Sequence, residues 1–291
     1  MIESVPPIVK VLAAAVAFSA LLATVVGRRG GKYRGLPGWG GFWVLFAPLL
    51  VTLSRGDRRL AFALLAAVMF GALRAYFSIA PVRNRDRWAI LAAYLSIPFT
   101  LWPAYTGAID AFLATVPVSL FLIVPVFLAI GPSQQQKGLL DAMGRTLLGV
   151  LFFVYCIAHL GLLVNEPQRG LLELFGLLAL SAELPQRLAG RLSRGPGWWR
   201  PALGVTVSVV LAVGAGWWFG PWCGLIEEDG ARAGFLVAAA VTMGGLVSNA
   251  VAQDLELSSS SSLFGRGVFL NRTVPTVYAV PVFFHYLNHF V

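Results

Sequence analysis

Long uninterrupted apolar blocks constrain this chain more than any other feature. Ala104–Ile130 contains one charge, Asp110, and Ala202–Phe219 contains none. A helix crosses the hydrocarbon core of a bilayer with about 20 such residues. Charged residues make up 12% of the 291 and hydrophobic ones 58%, whereas ordinary soluble domains carry about a quarter charged residues. A water-soluble enzyme, a disordered tail and a disulfide scaffold are thereby excluded. The blocks are continuously apolar and do not alternate, which also excludes a transmembrane β-barrel. The expected fold is all-α: a polytopic integral membrane helical bundle with a polar cleft toward the cytoplasmic leaflet.

Applying the length rule along the chain gives about ten transmembrane spans. They lie near 5–26, 40–54, 60–79, 88–105, 107–130, 145–164, 170–188, 202–220, 233–252 and 274–290. The first block is too long for the apolar region of a signal peptide and no small-residue cleavage site follows it, so it reads as a retained span. The expectation is one membrane domain over residues 1–291. Within it, 1–165 holds the N-terminal helices and 166–291 the half with the candidate site. The odd-numbered loops carry most of the arginines, among them Arg28, Arg83, Arg187, Arg200 and Arg266. The even loops carry few, beside the acidic run Glu227, Glu228 and Asp229. The positive-inside rule then puts the odd loops in the cytoplasm and both termini outside.

The net charge of +9 comes from arginine, with only Lys10, Lys32 and Lys137 beside it. On a membrane chain such basic loops hold cytoplasmic ends and meet anionic lipid, so no nucleic-acid partner is expected. Cys156 and Cys223 form no framework and read as small packing residues.

Polar groups inside spans carry the functional information, because each costs energy in lipid unless it faces a partner or a cavity. Arg74 near the end of the third span reads as a snorkelling residue. His159, alone on an apolar helix, reads as a hydrogen-bonded packing residue. Glu173 and Glu183 lie just under three turns apart on the seventh span, followed by Gln186, Arg187 and Arg191. This polar stripe reads equally as an i,i+4 ion pair on a helix end or as the wall of a cleft for an anionic head group. A third feature runs from Gln253-Asp254 through Ser258–Ser262 to Gly265-Arg266-Gly267 and Asn271-Arg272. Its small residues let backbone N–H groups approach an anion, with arginine to neutralise phosphate.

Around these residues the chain resembles the phosphatidate cytidylyltransferase (CDP-diacylglycerol synthase) family. That family's signature reads approximately K-R-D-x-x-x-K-D-x-G…G-H-G-G-x-x-D-R-x-D-S before an apolar last helix. Similar framing stretches here are Met243-Gly244-Gly245-Leu246-Val247-Ser248-Asn249 and Tyr278-Ala279-Val280-Pro281. Upstream, Leu73-Arg74…Pro81…Asp86, Val154-Tyr155…His159…Leu162-Leu163 and Glu183-Leu184-Pro185-Gln186…Gly190-Arg191 are similar to further family segments. Ala252 and Gln253 stand at the Lys-Arg pair, and Gly265-Arg266-Gly267-Val268 at G-H-G-G. Asn271 and Val274 stand at two of the aspartates and the Ser258–Ser262 run at the K-D aspartate, while Arg272 keeps its place.

The resemblance implies a reaction in which a lipid phosphate attacks the α-phosphate of CTP and releases diphosphate, with Mg2+ held by carboxylates. Glu183 and Asp254 are the acids left to act as catalytic and metal-binding groups. Gln186, Arg191, Gly265, Arg266, Gly267, Asn271 and Arg272 are the candidate substrate and phosphate contacts. Two functions stand side by side: a nucleotidyltransferase of phospholipid biosynthesis working on an altered residue set, and a non-catalytic relative. The relative would bind lipid phosphate or support a membrane partner. Neutral Ser, Asn and Val in place of aspartates favour loss or change of activity. The partners implied are the bilayer and anionic phosphatidate, CTP if the chain is active, and a second copy or another membrane protein. The implied location is the bacterial inner (plasma) membrane.

Overall fold

The computed structural model describes residues 5–28, 35–80, 87–129, 138–166, 170–192, 199–255 and 268–291. Every regular element among them is helical. In chain order these are α1 (Pro7–Gly27), α2 (Leu36–Arg55), α3 (Arg58–Phe77), α4 (Arg87–Thr106), α5 (Val116–Ala129), α6 (Leu139–Val150), α7 (Ile157–Val164), α8 (Leu171–Leu192), α9 (Trp199–Phe219), α10 (Glu227–Asp254) and α11 (Val268–Phe290). A π-helical turn, Ala111–Thr115, leads into α5, and another, Leu151–Cys156, joins α6 to α7. In lipid every backbone N–H and C=O must be satisfied within the segment, which is why the apolar blocks become helices.

Seven helical stretches among the described residues are long and apolar enough to cross a membrane: Pro7–Gly27, Leu36–Arg55, Arg58–Phe77, Ala111–Ala129, Leu139–Val164, Pro201–Cys223 and Glu227–Asp254. This is the composition of a membrane protein. Three expected spans, α4, α8 and α11, fall outside this set. α8 does so visibly through its charges, Glu173, Glu183, Arg187 and Arg191.

The chain divides into two compact units, Met1–Asp57 with Glu166–Val291, and Arg58–Asn165. In the first unit α8 is the centre. It packs against α1, α2, α9, α10 and α11, and every residue from Leu171 to Leu180 is buried. A surrounded helix can hold charges that a lipid-facing one cannot, so this charged helix stands at the centre of its unit. By contrast α1 buries a single stripe, Ile8, Leu12, Val16, Ser19 and Ala23, and turns Phe18, Leu21 and Val25 outward. That one-sided pattern fits a helix with lipid on its other side.

α2 begins at Leu36, earlier than the apolar count alone places it. Pro37 is tolerated in a first helical turn, and the glycines that weaken the helix allow close packing. A Cβ on Gly40 would stand 3.1 Å from the Ala20 backbone of α1. α9 and α10 are closer still, with the backbones of Gly216 and Gly230 in contact.

In the second unit, Tyr76 on α3 donates its hydroxyl to the Arg145 carbonyl of α6 at 2.8 Å. His159 is fully buried and its Nδ1 lies 2.9 Å from the Tyr155 carbonyl across the π-helical turn. A carbonyl only accepts, so Nδ1 carries the proton. Phe112 and Tyr155 meet the imidazole edge-on at 4.9 and 4.8 Å. His159 is a hydrogen-bonded packing residue, as its sequence context predicts. Arg74 is exposed in the last turn of α3.

Candidate functional site

The polar stripe of α8 organises the first unit through two residues three apart. Glu183 is 2% exposed and receives hydrogen bonds from two neighbouring helices. Trp39 and Trp43, one turn apart on α2, donate their indole N–H groups to its Oε2 at 2.5 and 3.1 Å. Thr276 of α11 donates to Oε1 at 3.0 Å. Gln186 faces the other side, its Nε2 donating to Ser208 of α9 and Thr242 of α10, both at 2.9 Å. One turn of α8 is thus tied to four helices.

Arg187, one turn beyond Glu183, places a guanidinium nitrogen 4.0 Å from Oε1. Glu183, Gln186 and Arg187 together line a cavity of about 220 Å3 between α8, α9, α10 and α11. Thr242, Gly245, Ser248 and Asn249 form the α10 wall; Pro201, Val205, Val241, Leu246 and Pro275 make the rest apolar. Glu183 and Arg187 thus form the i,i+4 ion pair that their spacing allows, and they do so in the wall of a cavity.

The second acid of α8 belongs to a separate contact. Glu173 is fully buried, and Arg55 at the C-terminal end of α2 donates Nε to its Oε1 at 2.9 Å. α2 runs antiparallel to α8, so its tryptophans reach Glu183 at one end and its arginine reaches Glu173 at the other.

Arg272 is 5% exposed and lies one turn before Thr276 on α11. Its guanidinium rests over Gly38, the residue before Trp39, where a Cβ would overlap it. It is not among the residues that line the cavity. Asp254 is exposed at the C-terminal end of α10, about 8 Å along the helix axis beyond Asn249, and does not line the cavity either. Arg191 and Asn271 lie within α8 and α11, but their side chains fall outside the described residues, as do Gly265, Arg266 and Gly267 altogether.

Sequence reasoning missed Trp39, Trp43, Thr276, Ser248 and Asn249 as site residues. The tryptophan pair carried a signal: two indole N–H groups at i,i+4 in an apolar helix need a buried acceptor, and Glu183 needs buried donors.

An ionised carboxylate has about four lone-pair positions. On Glu183 two hold the indoles, a third holds the Thr276 hydroxyl, and the fourth faces Arg187. A divalent cation needs such oxygens, and Glu183 as bonded here does not fit one. Among the described residues no three His, Cys, Asp or Glu side chains come together as a metal-binding group.

Residues 38–182, about half of the chain, match the model of the cytidylyltransferase family. The matched stretch opens at the Gly38 notch, includes both tryptophans, and stops one residue short of Glu183. No curated protein and no solved structure gives a significant match.

Proposed function

The chain belongs to the cytidylyltransferase family, and from that premise we propose a phosphatidate cytidylyltransferase-like membrane protein of phospholipid biosynthesis, set in the bacterial plasma membrane. Its site receives the phosphate of a lipid such as phosphatidate, and nucleotidyl transfer from CTP is lost or altered. The single observation that carries this reading is Glu183. The acid left for metal in the cavity is held by Trp39, Trp43 and Thr276, while Asp254 stands outside that cavity. Phosphoryl-type transfer depends on electrostatic stabilisation of developing charge, and Ser, Asn and Val in the places of the family's aspartates do not supply it.

A working enzyme, making CDP-diacylglycerol and diphosphate from CTP and phosphatidate, is the second reading, favoured by the family match itself. A partner-supporting role, with a second copy or another membrane protein, follows from the first reading if the lipid site regulates assembly.

Turnover decides between them. Purified protein in mixed micelles receives radiolabelled CTP, phosphatidate and Mg2+, with an inactivated family enzyme as background. The expected result is no CDP-diacylglycerol above background. Product well above it, abolished in Glu183→Gln, would establish the enzyme and overturn the proposal.

A further inference from the structure

We propose that the cavity beside α8 takes a phosphomonoester on Arg187 without any divalent cation, and that Glu183 is a positioning residue there. The inference rests on the reading above that this site receives a lipid phosphate, and adds how the charge is met.

Magnesium asks for oxygen ligands in near-octahedral geometry and gives up its waters reluctantly. To bind through Glu183 it would have to displace an indole from Oε2 or the Thr276 hydroxyl from Oε1. Trp39 and Trp43 are wholly buried, so a displaced N–H would be left without an acceptor, at the full desolvation cost of that group. The incoming cation would also sit beside the Arg187 guanidinium, which already faces Oε1 at 4.0 Å. The filled carboxylate therefore works against a metal.

It works in favour of an anion on Arg187. At 4.0 Å the pair is an ion pair longer than a hydrogen bond, and it orients the guanidinium beside Oε1. The side chain is 22% exposed and lines the cavity. A guanidinium matches two phosphate oxygens in a bidentate pair, a stronger and more directional contact than a neutral hydrogen bond. Three donors disperse the negative charge of Glu183, which lowers its repulsion of a phosphate nearby. Asn249 adds a polar group on the α10 wall, and Val205 and Leu246 offer apolar surface beside it.

Full-length protein in phosphatidylcholine nanodiscs, with and without phosphatidate, is followed by thermal unfolding in EDTA and in Mg2+. Inorganic phosphate and CTP form separate arms. The expected result is a phosphatidate-dependent rise in midpoint that is the same in EDTA and in Mg2+. Arg187→Gln should weaken apparent affinity about tenfold or more, the loss of a charged bidentate contact. Gly245→Leu tests the location while sparing the fold, because Gly245 lines the cavity and a Cβ there meets nothing within 4 Å; it should abolish the rise by filling the space. An equal rise with inorganic phosphate alone supports the metal-free site and assigns it to free phosphate.

A rise seen only with Mg2+, or Mn2+ binding to the native protein that disappears in Glu183→Gln, overturns this inference and leaves the lipid-phosphate reading standing. Retention of the rise in both Arg187→Gln and Gly245→Leu overturns the assignment to this cavity. No rise with phosphatidate under either condition overturns both.

Discussion

Arg272 lays its guanidinium over the bare Cα of Gly38, so a buried arginine of α11 occupies the space that a side chain on α2 would fill. The consequence is a sharp size limit at residue 38. A methyl group there overlaps the guanidinium, and Arg272, being 5% exposed, has little room to retreat. Gly38→Ala should lower stability by about 1–3 kcal/mol, the usual range for overfilling a packed interior, and Gly38→Val by more. Thermal unfolding of Gly38→Ala, Arg272→Ala and the double variant checks the coupling. The two losses should be less than additive, because shortening Arg272 empties the space the methyl needs.

Glu166, between α7 and α8, gives a pH dependence of defined sign. Partial burial raises its carboxyl above the ordinary carboxylate range. The folded protein then binds that proton more tightly than the unfolded chain. Its favourable contribution is fully present below the unfolded value, about pH 4.3, and is lost as pH rises through the folded one. Above that window the buried charge opposes folding. Glu166→Gln should be more stable than the native protein at neutral pH, with the difference shrinking toward acid. Midpoints measured from pH 4 to 8 test this, and a native protein that gains over the variant as pH rises would refute it.

The helical membrane fold was legible from apolar block length alone, since lipid leaves a chain few other ways to satisfy its backbone. The limits of that reading are equally physical. The start of α2 lay hidden because Gly38 and Gly40 argue against a helix locally, and their packing against Arg272 and Ala20 explains them. Glu183 and Gln186 stood out because charge and amide are costly in an apolar helix. Their partners are 22 to 144 residues away, and no local pattern says which helices become neighbours. The stripe was thus visible, while the saturation of Glu183 by two indoles was not.

The α9–α10 crossing rests on glycine pairs spaced four apart, Gly216 with Gly220 and Gly230 with Gly234. A Cβ on Gly216 would strike the Gly230 carbonyl, and one on Gly234 the Ala212 carbonyl. Backbone cannot swing aside as a side chain can, and close approach is what small residues give membrane helices. Gly216→Ala and Gly234→Ala should each cost about 1–3 kcal/mol or more. Gly71, Gly144 and Gly214 are controls, since a Cβ at each meets nothing within 4 Å. Alanine at those positions should be neutral or stabilising by up to about 1 kcal/mol, from helix propensity. Equal losses in both sets, measured by unfolding in detergent, would argue against the backbone contact.

Glu183 and its donors should show the asymmetry between losing an acceptor and losing one donor. Glu183→Ala strips the acceptor from Trp39, Trp43 and Thr276 together and leaves their buried groups unpaired. It should cost about 3–5 kcal/mol, as breaking a buried charged network does. Trp43→Phe removes one donor while keeping most of the ring packing, and the remaining bonds still hold the carboxylate. Its cost should be about 1.5–3 kcal/mol, that of one hydrogen bond to a charged group. Glu183→Gln keeps an oxygen for both indoles and should fall between native and Glu183→Ala. Unfolding midpoints in one detergent order the series, and the key comparison is Glu183→Ala against Trp43→Phe. If Trp43→Phe proved as damaging as Glu183→Ala, the tryptophan would matter through its bulk, and the carboxylate would not be what joins α2 to α8.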